Sequence, residues 1–233
     1  MAKAPSGILI SFEGTEGSGK STLIRTLSKL LDQAGYTAIQ TREPGGSPVA
    51  EKIRSILLEM SPKNLPDHTM NPWTELLLYE AARAEHTAKT IVPALERGEI
   101  VICDRFTDST LAYQGHARGL PWKQIRTLNR MATFGIKPDL TFFLNIDPAV
   151  GLRRVQDPNR FEAEGLEFQK KVRAGFVKVR AEEPKRWITL NVQDRSPDDL
   201  AKAVLMSLLK RLSNRMKQNL NCRRNLKSSS THG

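Results

Sequence analysis

A glycine-rich turn between a strand and a helix constrains this chain more than any other feature. Residues 7–12 form an apolar, strand-like run, and residues 20–34 carry leucine and isoleucine at helical spacing. Between them, Gly14 to Ser21 read Gly-Thr-Glu-Gly-Ser-Gly-Lys-Ser. This order matches the P-loop pattern G-x-x-x-x-G-K-S in the strand–turn–helix context that the pattern requires. The alternative, a purely structural glycine turn, does not explain the Lys-Ser pair that opens the helix.

Each part of this turn has a task in phosphate binding. Glycines let backbone N–H groups turn inward around phosphate oxygens, and the helix N-terminus adds further donors and a positive dipole end. The lysine brings a full charge to the β and γ oxygens of a nucleotide, and the serine offers a hydroxyl to Mg²⁺. We therefore predict a phosphate-binding site made of Gly14, Thr15, Glu16, Gly17, Ser18, Gly19, Lys20 and Ser21.

Four more strand-like runs follow, and helical segments separate them. The runs are short and apolar through their length, which is typical of a parallel sheet covered by helices on both faces. We predict a P-loop NTPase-type three-layer α/β/α fold with a five-stranded parallel sheet, in a single domain over residues 1–212. Ligands bind such sheets outside the carboxyl ends of the strands. The predicted later strands are residues 37–41, 100–103, 139–146 and 187–190.

Charge and hydropathy exclude several classes of partner. The net charge is +11, but eight of those charges lie in residues 201–233, which contain no Asp or Glu. The body is only mildly basic, so we predict no specific nucleic-acid partner and interpret residues 213–233 as a disordered basic tail. No apolar run approaches the roughly 20 residues of a membrane span. We expect no membrane partner, no leader segment and a cytoplasmic location, with both cysteines reduced.

The P-loop alone leaves the activity open. A GTPase should also carry an N-K-x-D base-reading motif, which the sequence lacks, and a motor usually ends an apolar strand in paired acids. Here the third strand ends in Asp104-Arg105. The compact size and the arginines that follow the strands favour a small-molecule kinase. A non-catalytic nucleotide sensor remains the alternative from a different class.

Four segments resemble the thymidylate kinase family: residues 12–21, 41–46 (Thr-Arg-Glu-Pro-Gly-Gly), 78–83 (Leu-Tyr-Glu-Ala-Ala-Arg) and 104–114 (Asp-Arg-Phe-Thr-Asp-Ser-Thr-Leu-Ala-Tyr-Gln). The resemblance runs from about residue 8 to residue 209. It implies transfer of the ATP γ-phosphate to thymidine monophosphate (dTMP), giving dTDP for dTTP synthesis, with Mg²⁺ required and a homodimer as the assembly. Another nucleoside monophosphate or deoxynucleoside kinase is the second interpretation.

The resemblance also implies roles for the charged residues at the strand ends. Arg105 would bridge the donor and acceptor phosphates, with Asp104 near Mg²⁺ or its waters. Arg42 would belong to the acceptor phosphate site and its loop scaffold. Glu16 would lie near the 3′-hydroxyl of the acceptor and the metal. A carboxylate beside phosphates is unfavourable unless a cation or hydroxyl offsets it, so its position in the P-loop favours a function.

Recognition of the thymine base is implied at three further positions, and recognition of the sugar at a fourth. Tyr79 would stack on the pyrimidine, and Arg83, at i+4 on the same helix face, would donate to a thymine carbonyl. Thr110 would bond the base ring, and Tyr113 would pack on the sugar and disfavour a 2′-hydroxyl. Without the resemblance, Tyr79 would be interpreted as a core aromatic.

A lid over residues 153–163 is the last feature that the resemblance implies. Some family members carry a basic residue in the P-loop at the position of Gly17, and this chain does not. The catalytic arginines would then come from the lid, with Arg154 and Arg160 as candidates and Arg153 as a weaker one. An arginine at the transition state is worth roughly 10³-fold or more in rate.

Overall fold

The computed structural model of the protein describes residues 7–58, 70–156, 163–193 and 195–229, with side chains described as far as Arg215 in the last helix. Its sheet has five parallel strands in the order β2-β3-β1-β4-β5. This confirms the predicted five-stranded parallel sheet, and most strands extend one residue beyond the predicted end. The strands are β1 (Ile8–Glu13), β2 (Ala38–Arg42), β3 (Ile100–Asp104), β4 (Leu140–Asn145) and β5 (Trp187–Asn191).

Helices cover both faces of this sheet. They are α1 (Lys20–Gln33), α2 (Pro48–Leu58), α3 (Pro72–His86), α4 (Val92–Glu96), α5 (Thr107–Thr110), α6 (Trp122–Ala132), α7 (Pro148–Arg153), α8 (Gly165–Glu182) and α9 (Pro197–Ser229). Two π-helical segments (Thr87–Ile91 and Leu111–Ala117) and a 3₁₀ turn (Pro184–Arg186) complete the described elements.

The sheet and its helices form the three layers that the alternation of strands and helices predicts. On one face, α1 and α9 pack on strand residues such as Phe12 and Phe142, whose rings lie 5.2 Å apart. On the other face, α3, α6 and α8 pack around Phe143 and Trp187, and α4 covers Val101. Residues of the three central strands β1, β3 and β4 alternate between the two faces and nearly all are buried, which explains why these strands are mainly apolar. The outer strand β2 is more exposed and contains Gln40 and Arg42.

Residues 72–98 are predicted as a long helical stretch that Pro93 kinks or breaks. In the structure a π-helical segment directly before α4 separates α3 from α4, and Pro93 is the second residue of α4. Proline lacks the backbone N–H that would continue the helical hydrogen bonds, and the interruption lies next to it. The last helix differs from the sequence prediction. It is predicted to end at residue 212 and to be followed by a disordered tail. Instead α9 continues to Ser229, because residues 213–229 contain no glycine or proline to end it.

The first turn of this extension packs on the domain. The Nη1 atom of Arg215 donates to the carbonyl oxygen of Gly7 at 2.6 Å, at the start of β1. No helix among the described residues is both long and apolar enough to cross a membrane.

The strand register brings the predicted site residues to one edge of the sheet. Phe12 and Arg42 both lie opposite Asp104, so the carboxyl ends of β1, β2 and β3 meet at the same level. Three segments leave the sheet at this edge. They are the P-loop after β1, the loop with cis-Pro44 after β2, and the turn after β3. The candidate site is therefore the carboxyl edge around β1, the central strand.

Candidate active site

The P-loop forms a tight turn that packs against α7. Gly17 and Gly19 have φ of 67° and 88°, in the left-handed region that favours glycine. A Cβ at Gly17 would overlap with the carbonyl oxygen of Gly151, so the backbone approach between the loop and α7 requires glycine there. Helix α1 begins at Lys20, and the free N–H groups of its first turn therefore lie at the loop, as a phosphate site requires.

Lys20 is buried inside this loop. Its Nζ lies 3.2 Å from the carbonyl oxygens of Gly14 and Thr15 and 3.3 Å from the hydroxyl of Ser18. Burial, and then the positive charge of Arg105, lower the pKa of Lys20 despite the nearby carboxylate of Glu16. Two cations held this close repel each other, and phosphate oxygens between them would relieve that repulsion.

Ser21 and Asp104 occupy the predicted metal position. The Ser21 hydroxyl donates to Oδ2 of Asp104 at 3.2 Å, next to the loop. In the described part of the chain, no group of three or more His, Cys, Asp or Glu side chains could hold a metal by itself. This pair fits Mg²⁺, which is usually held by one or two protein oxygens together with water and substrate phosphates.

A cavity of about 740 Å³ opens above the P-loop. It is large enough for a nucleoside triphosphate and is bounded on one side by the loop between β5 and α9. Its lining contains most of the predicted phosphate and metal residues together with residues that were not predicted. These are Glu16, Gly17, Ser18, Gly19, Lys20, Ser21, Arg42, Arg54, Asp104, Arg105, Arg154, Val192, Gln193, Arg195, Pro197 and Leu200, among others.

A smaller cavity of about 90 Å³ lies beside the first. Both cavities include Glu16, Glu43, Arg54 and Arg105 in their walls, so they meet at these four residues. Thr110 lines the smaller cavity, and its buried Oγ1 has no hydrogen-bond partner among the described residues. Of the predicted acceptor residues, the ones that line it are Glu16, Tyr79, Arg83, Arg105, Thr110 and Tyr113.

Arg105 lies at the junction of the two cavities. Its Nη2 donates to Oε1 of Glu16 at 2.6 Å, its Nη1 donates to the carbonyl oxygen of Gly14 at 2.9 Å, and its guanidinium lies 5.0 Å from the ring centroid of Tyr113. Burial alone would lower the pKa of Arg105, but the charge of Glu16 and of other nearby acidic groups raises it well above its usual value. Arg105 is therefore a fixed cation that faces both cavities.

Glu16 stays ionised because the two neighbouring cations favour its charged form. Burial would raise the pKa of this carboxyl, but the charges of Arg105 and Lys20 lower it below the usual value. The Tyr113 hydroxyl donates to the same Oε1 atom at 2.9 Å. Glu16, Arg105 and Tyr113 thus form one hydrogen-bonded group in the wall shared with the smaller cavity.

Arg83 is held far more tightly than its sequence position suggests. It is 1% exposed, and its Nε donates to Glu43 at 2.8 Å while its Nη1 donates to Glu80 at 2.7 Å and Asn129 at 2.8 Å. Its Nη2 donates to the carbonyl oxygen of Phe106 at 3.3 Å. A guanidinium has five N–H donors, so one on Nη2 remains to serve the cavity that Arg83 lines.

Arg42 lies on the side of the larger cavity. Its side chain lines the larger cavity and does not line the smaller one. Its Nη2 donates to Oε2 of Glu51 at 2.9 Å, while the other oxygen of Glu51 accepts from the Gly46 backbone. The loop-scaffold role therefore has a geometric basis, whereas direct contact with a ligand in the smaller cavity has none.

The candidate lid is described only at its ends. Arg154 lines the larger cavity, whereas Arg153 ends α7 and is exposed. Arg160 lies in residues 157–162, outside the described residues. Of the three arginines named from the sequence, Arg154 is the one that the geometry associates with the cavity.

The sequence analysis missed two charged residues of the site. Arg54 lines both cavities, and its Nη1 donates to the carbonyl oxygen of Pro44 at 2.9 Å. Burial, and then the positive charge of Arg42, lower its pKa. No local pattern on the amphipathic helix α2 distinguishes Arg54 from a solvent-facing arginine. Glu43, which holds Arg83, was present in the quoted segment 41–46 and could have been selected from it.

Comparison with known proteins agrees with this geometry. The family model for thymidylate kinase matches residues 12–204. A thymidylate kinase of Pelobacter propionicus is 43% identical over 218 residues, which cover 89% of this chain and 97% of the relative. One from Synechococcus sp. is 46% identical and covers 83% of this chain and 90% of the relative. The crystal structure of thymidylate kinase from Ehrlichia chaffeensis has a TM-score of 0.68 at 32% identity, covering 88% of this chain and all of that one. The chain belongs to the thymidylate kinase family.

Proposed function

We propose that this chain transfers the γ-phosphate of ATP to dTMP with Mg²⁺ as the required metal ion, and that it does so in the cytoplasm as a homodimer. The kinase activity toward dTMP follows from the family. One observation supports the assignment of the site: Arg105 and Glu16 form part of the shared wall of a nucleotide-sized cavity and a smaller cavity that contains the predicted acceptor residues.

The larger cavity is the proposed donor site. Phosphoryl transfer spreads negative charge over the equatorial oxygens, so catalysis depends mainly on positioning and on cations. Lys20 would contact the β and γ oxygens, and Arg105 would contact the transferred group from the acceptor side. Arg154, and Arg160 from the lid over residues 153–163, would supply further charge. Mg²⁺ would be held by Ser21 and Asp104 and would neutralise charge on the phosphates.

The smaller cavity is the proposed acceptor site. Tyr79 would stack on the base, while the remaining Nη2 donor of Arg83 and the unpaired Thr110 hydroxyl would bond its polar edge. Glu16 and the Tyr113 hydroxyl bonded to it would face the sugar. Because Tyr113 is buried against Phe168 and Phe176, it has little freedom to move away from an added 2′-hydroxyl. We therefore expect deoxyribonucleotides to be preferred.

Thr110 gives a test of base recognition that leaves packing intact. Thr110→Val replaces a buried hydroxyl, which has no hydrogen-bond partner in the described part of the chain, with a methyl group of the same shape, so the melting temperature should stay the same or rise. We expect kcat/KM for dTMP to fall about 5- to 15-fold, the equivalent of one hydrogen bond. The KM for ATP should stay within twofold. Equal losses for both substrates would contradict the assignment of this cavity.

The proposed homodimer follows from exposed apolar side chains on three helices that pack side by side. Ile56 on α2 is 51% exposed, Leu77 on α3 is 54% exposed, and Met131 on α6 is 66% exposed. Helix α3 contacts both α2 and α6, so these side chains lie on neighbouring elements. Exposed apolar residues grouped in this way are typical of an interface between subunits.

Leu77→Glu should therefore shift the protein from dimer to monomer, because a carboxylate at an apolar interface is not solvated. Light scattering after size exclusion measures the mass. The matched control is Met206→Glu on α9, which is 72% exposed on the opposite face of the sheet and should leave the dimer unchanged. A wild-type monomer, or a loss of the dimer in both variants alike, would argue against this interface.

A further inference from the structure

Glu13 is a buried carboxyl group that lines neither cavity. It ends β1, is 0% exposed, and lies behind the P-loop and the turn after β3. Neither the donor-site lining nor the acceptor-site lining contains it. Burial, reinforced by the charge of Asp108, raises its pKa to about 8. Burial of an acidic group is unfavourable, and contact with a substrate does not explain why Glu13 is buried here.

Both oxygens of Glu13 accept hydrogen bonds from one short segment. The backbone N–H of Phe106 donates to Oε1 at 2.9 Å, and the Ser109 hydroxyl donates to Oε2 at 2.6 Å. This segment follows directly on Arg105, the cation at the junction of the two cavities. Glu13 therefore holds the turn after Arg105 at two points, the backbone of Phe106 and the side chain of Ser109 in α5.

The backbone of Arg105 needs such support. Its φ is 69°, a left-handed conformation that is unfavourable for a residue with a Cβ and that persists where surrounding contacts determine it. Its N–H donates to the carbonyl oxygen of Phe12 at 3.0 Å, which places the turn on β1. The Ser109 hydroxyl also accepts from Nη1 of Arg105, at 3.4 Å. Ser109 thus links Glu13 to the guanidinium itself.

We propose that Glu13 is a positioning residue for phosphoryl transfer, which holds the Arg105–Ser109 turn so that the Arg105 guanidinium faces both substrates. The inference rests on the proposed function of Arg105. It gives Glu13 no contact with ATP or dTMP. Its effect should therefore appear in kcat, should leave the KM values nearly unchanged, and should depend on the presence of the Arg105 side chain.

A double-mutant cycle on kcat tests this dependence. Glu13→Ala removes both acceptors, and Ser109→Ala removes the bond to Glu13 together with the direct contact to Arg105, with little change in volume. In the wild-type background we expect kcat to fall about 100-fold for Glu13→Ala and about 10-fold for Ser109→Ala, with KM for both substrates within threefold. In an Arg105→Ala background each change should alter the residual kcat less than twofold, because the group being positioned is gone. Transfer from γ-labelled ATP is sensitive enough to measure that residual rate.

Glu75 is the matched control, because it is also a fully buried acidic residue, and its side chain accepts from Gln114 at 2.8 Å and from Arg118 at 3.3 Å. Whatever Glu75→Ala does to kcat, the fold-change should be the same with and without Arg105. If the Glu13 and Ser109 effects are equally additive, Glu13 acts on the fold alone and the inference is wrong. If Glu13→Ala does not fold, the same cycle with Glu13→Gln decides, since glutamine keeps the size of the side chain and replaces one acceptor oxygen with an amide nitrogen.

A wild-type enzyme that fails to phosphorylate dTMP would instead refute the proposed acceptor. The same cycle is then read on whichever monophosphate is turned over, or on ATP hydrolysis. Additivity in that cycle would still overturn the role of Glu13, and non-additivity would still support it.

Discussion

Replacing Arg105 by alanine should lower kcat by about 10³-fold or more, which is the effect expected for an arginine that stabilises transition-state charge in phosphoryl transfer. The Arg105 side chain bonds both the P-loop backbone at Gly14 and the carboxylate of Glu16, so it is held at the junction of the two proposed substrate cavities. A group fixed in this way needs little reorganisation during the reaction, which is why its loss should appear mainly in kcat. Single-turnover transfer from labelled ATP measures the effect.

Arg105→Lys is the informative companion variant. Lysine restores the charge but not the planar fork of donors that contacts two partners at once, so it should recover only a small part of the rate. Thermal unfolding of both variants is the control for the fold. We expect both variants to fold, because the carboxylate of Glu16 still has Lys20 as a nearby cation. If kcat of the folded alanine variant stays within tenfold of wild type, Arg105 does not act on the transferred phosphoryl group.

Replacing Lys20 by alanine should lower kcat/KM for ATP by about 10²- to 10³-fold, because no other side chain within the loop brings a full positive charge to the β and γ oxygens. The binding of dTMP by itself should change little, since Lys20 does not line the smaller cavity. The melting temperature is not expected to fall, because burial and the positive charge of Arg105 make the charged state of Lys20 unfavourable in the free protein.

Lys29→Ala provides the control for this second prediction. Lys29 lies on the same helix, but its side chain is exposed on the outer surface, so its loss should leave both steady-state parameters within twofold. Isothermal titration with ATP, together with initial rates, separates binding from turnover. Retained ATP binding and turnover in Lys20→Ala would remove the lysine from the proposed mechanism.

The sheet and the phosphate site were predictable because their patterns are local. The P-loop specifies its own backbone through Gly17 and Gly19 and its own charge through Lys20, all within eight consecutive residues. The three central strands are mainly apolar runs, since both faces of a parallel sheet are buried. The roles of Tyr79 and Arg83 came from the resemblance of one short segment to the family, and their part in base recognition stays a prediction.

The rest depends on contacts between distant parts of the chain. Arg83 is held by Glu43 and Asn129, which are 40 and 46 residues away, so no local pattern reveals that most of its donors are occupied. Arg54 has the helical context of a surface residue, and only the packing of α2 brings it to the cavities. The π-helical segment between α3 and α4 and the length of α9 have no sequence motif of their own.

Our central proposal is that this protein transfers the γ-phosphate of ATP to dTMP, with Arg105 at the junction of the two binding cavities. The most direct test is the rate of ADP release with ATP and Mg²⁺ across the common nucleoside monophosphates, in deoxy and ribo forms. We predict that dTMP has the highest kcat/KM by about 100-fold or more. A higher value for another monophosphate would leave the P-loop kinase intact but would contradict the acceptor site. No turnover of any monophosphate would contradict the enzymatic account and favour a nucleotide sensor.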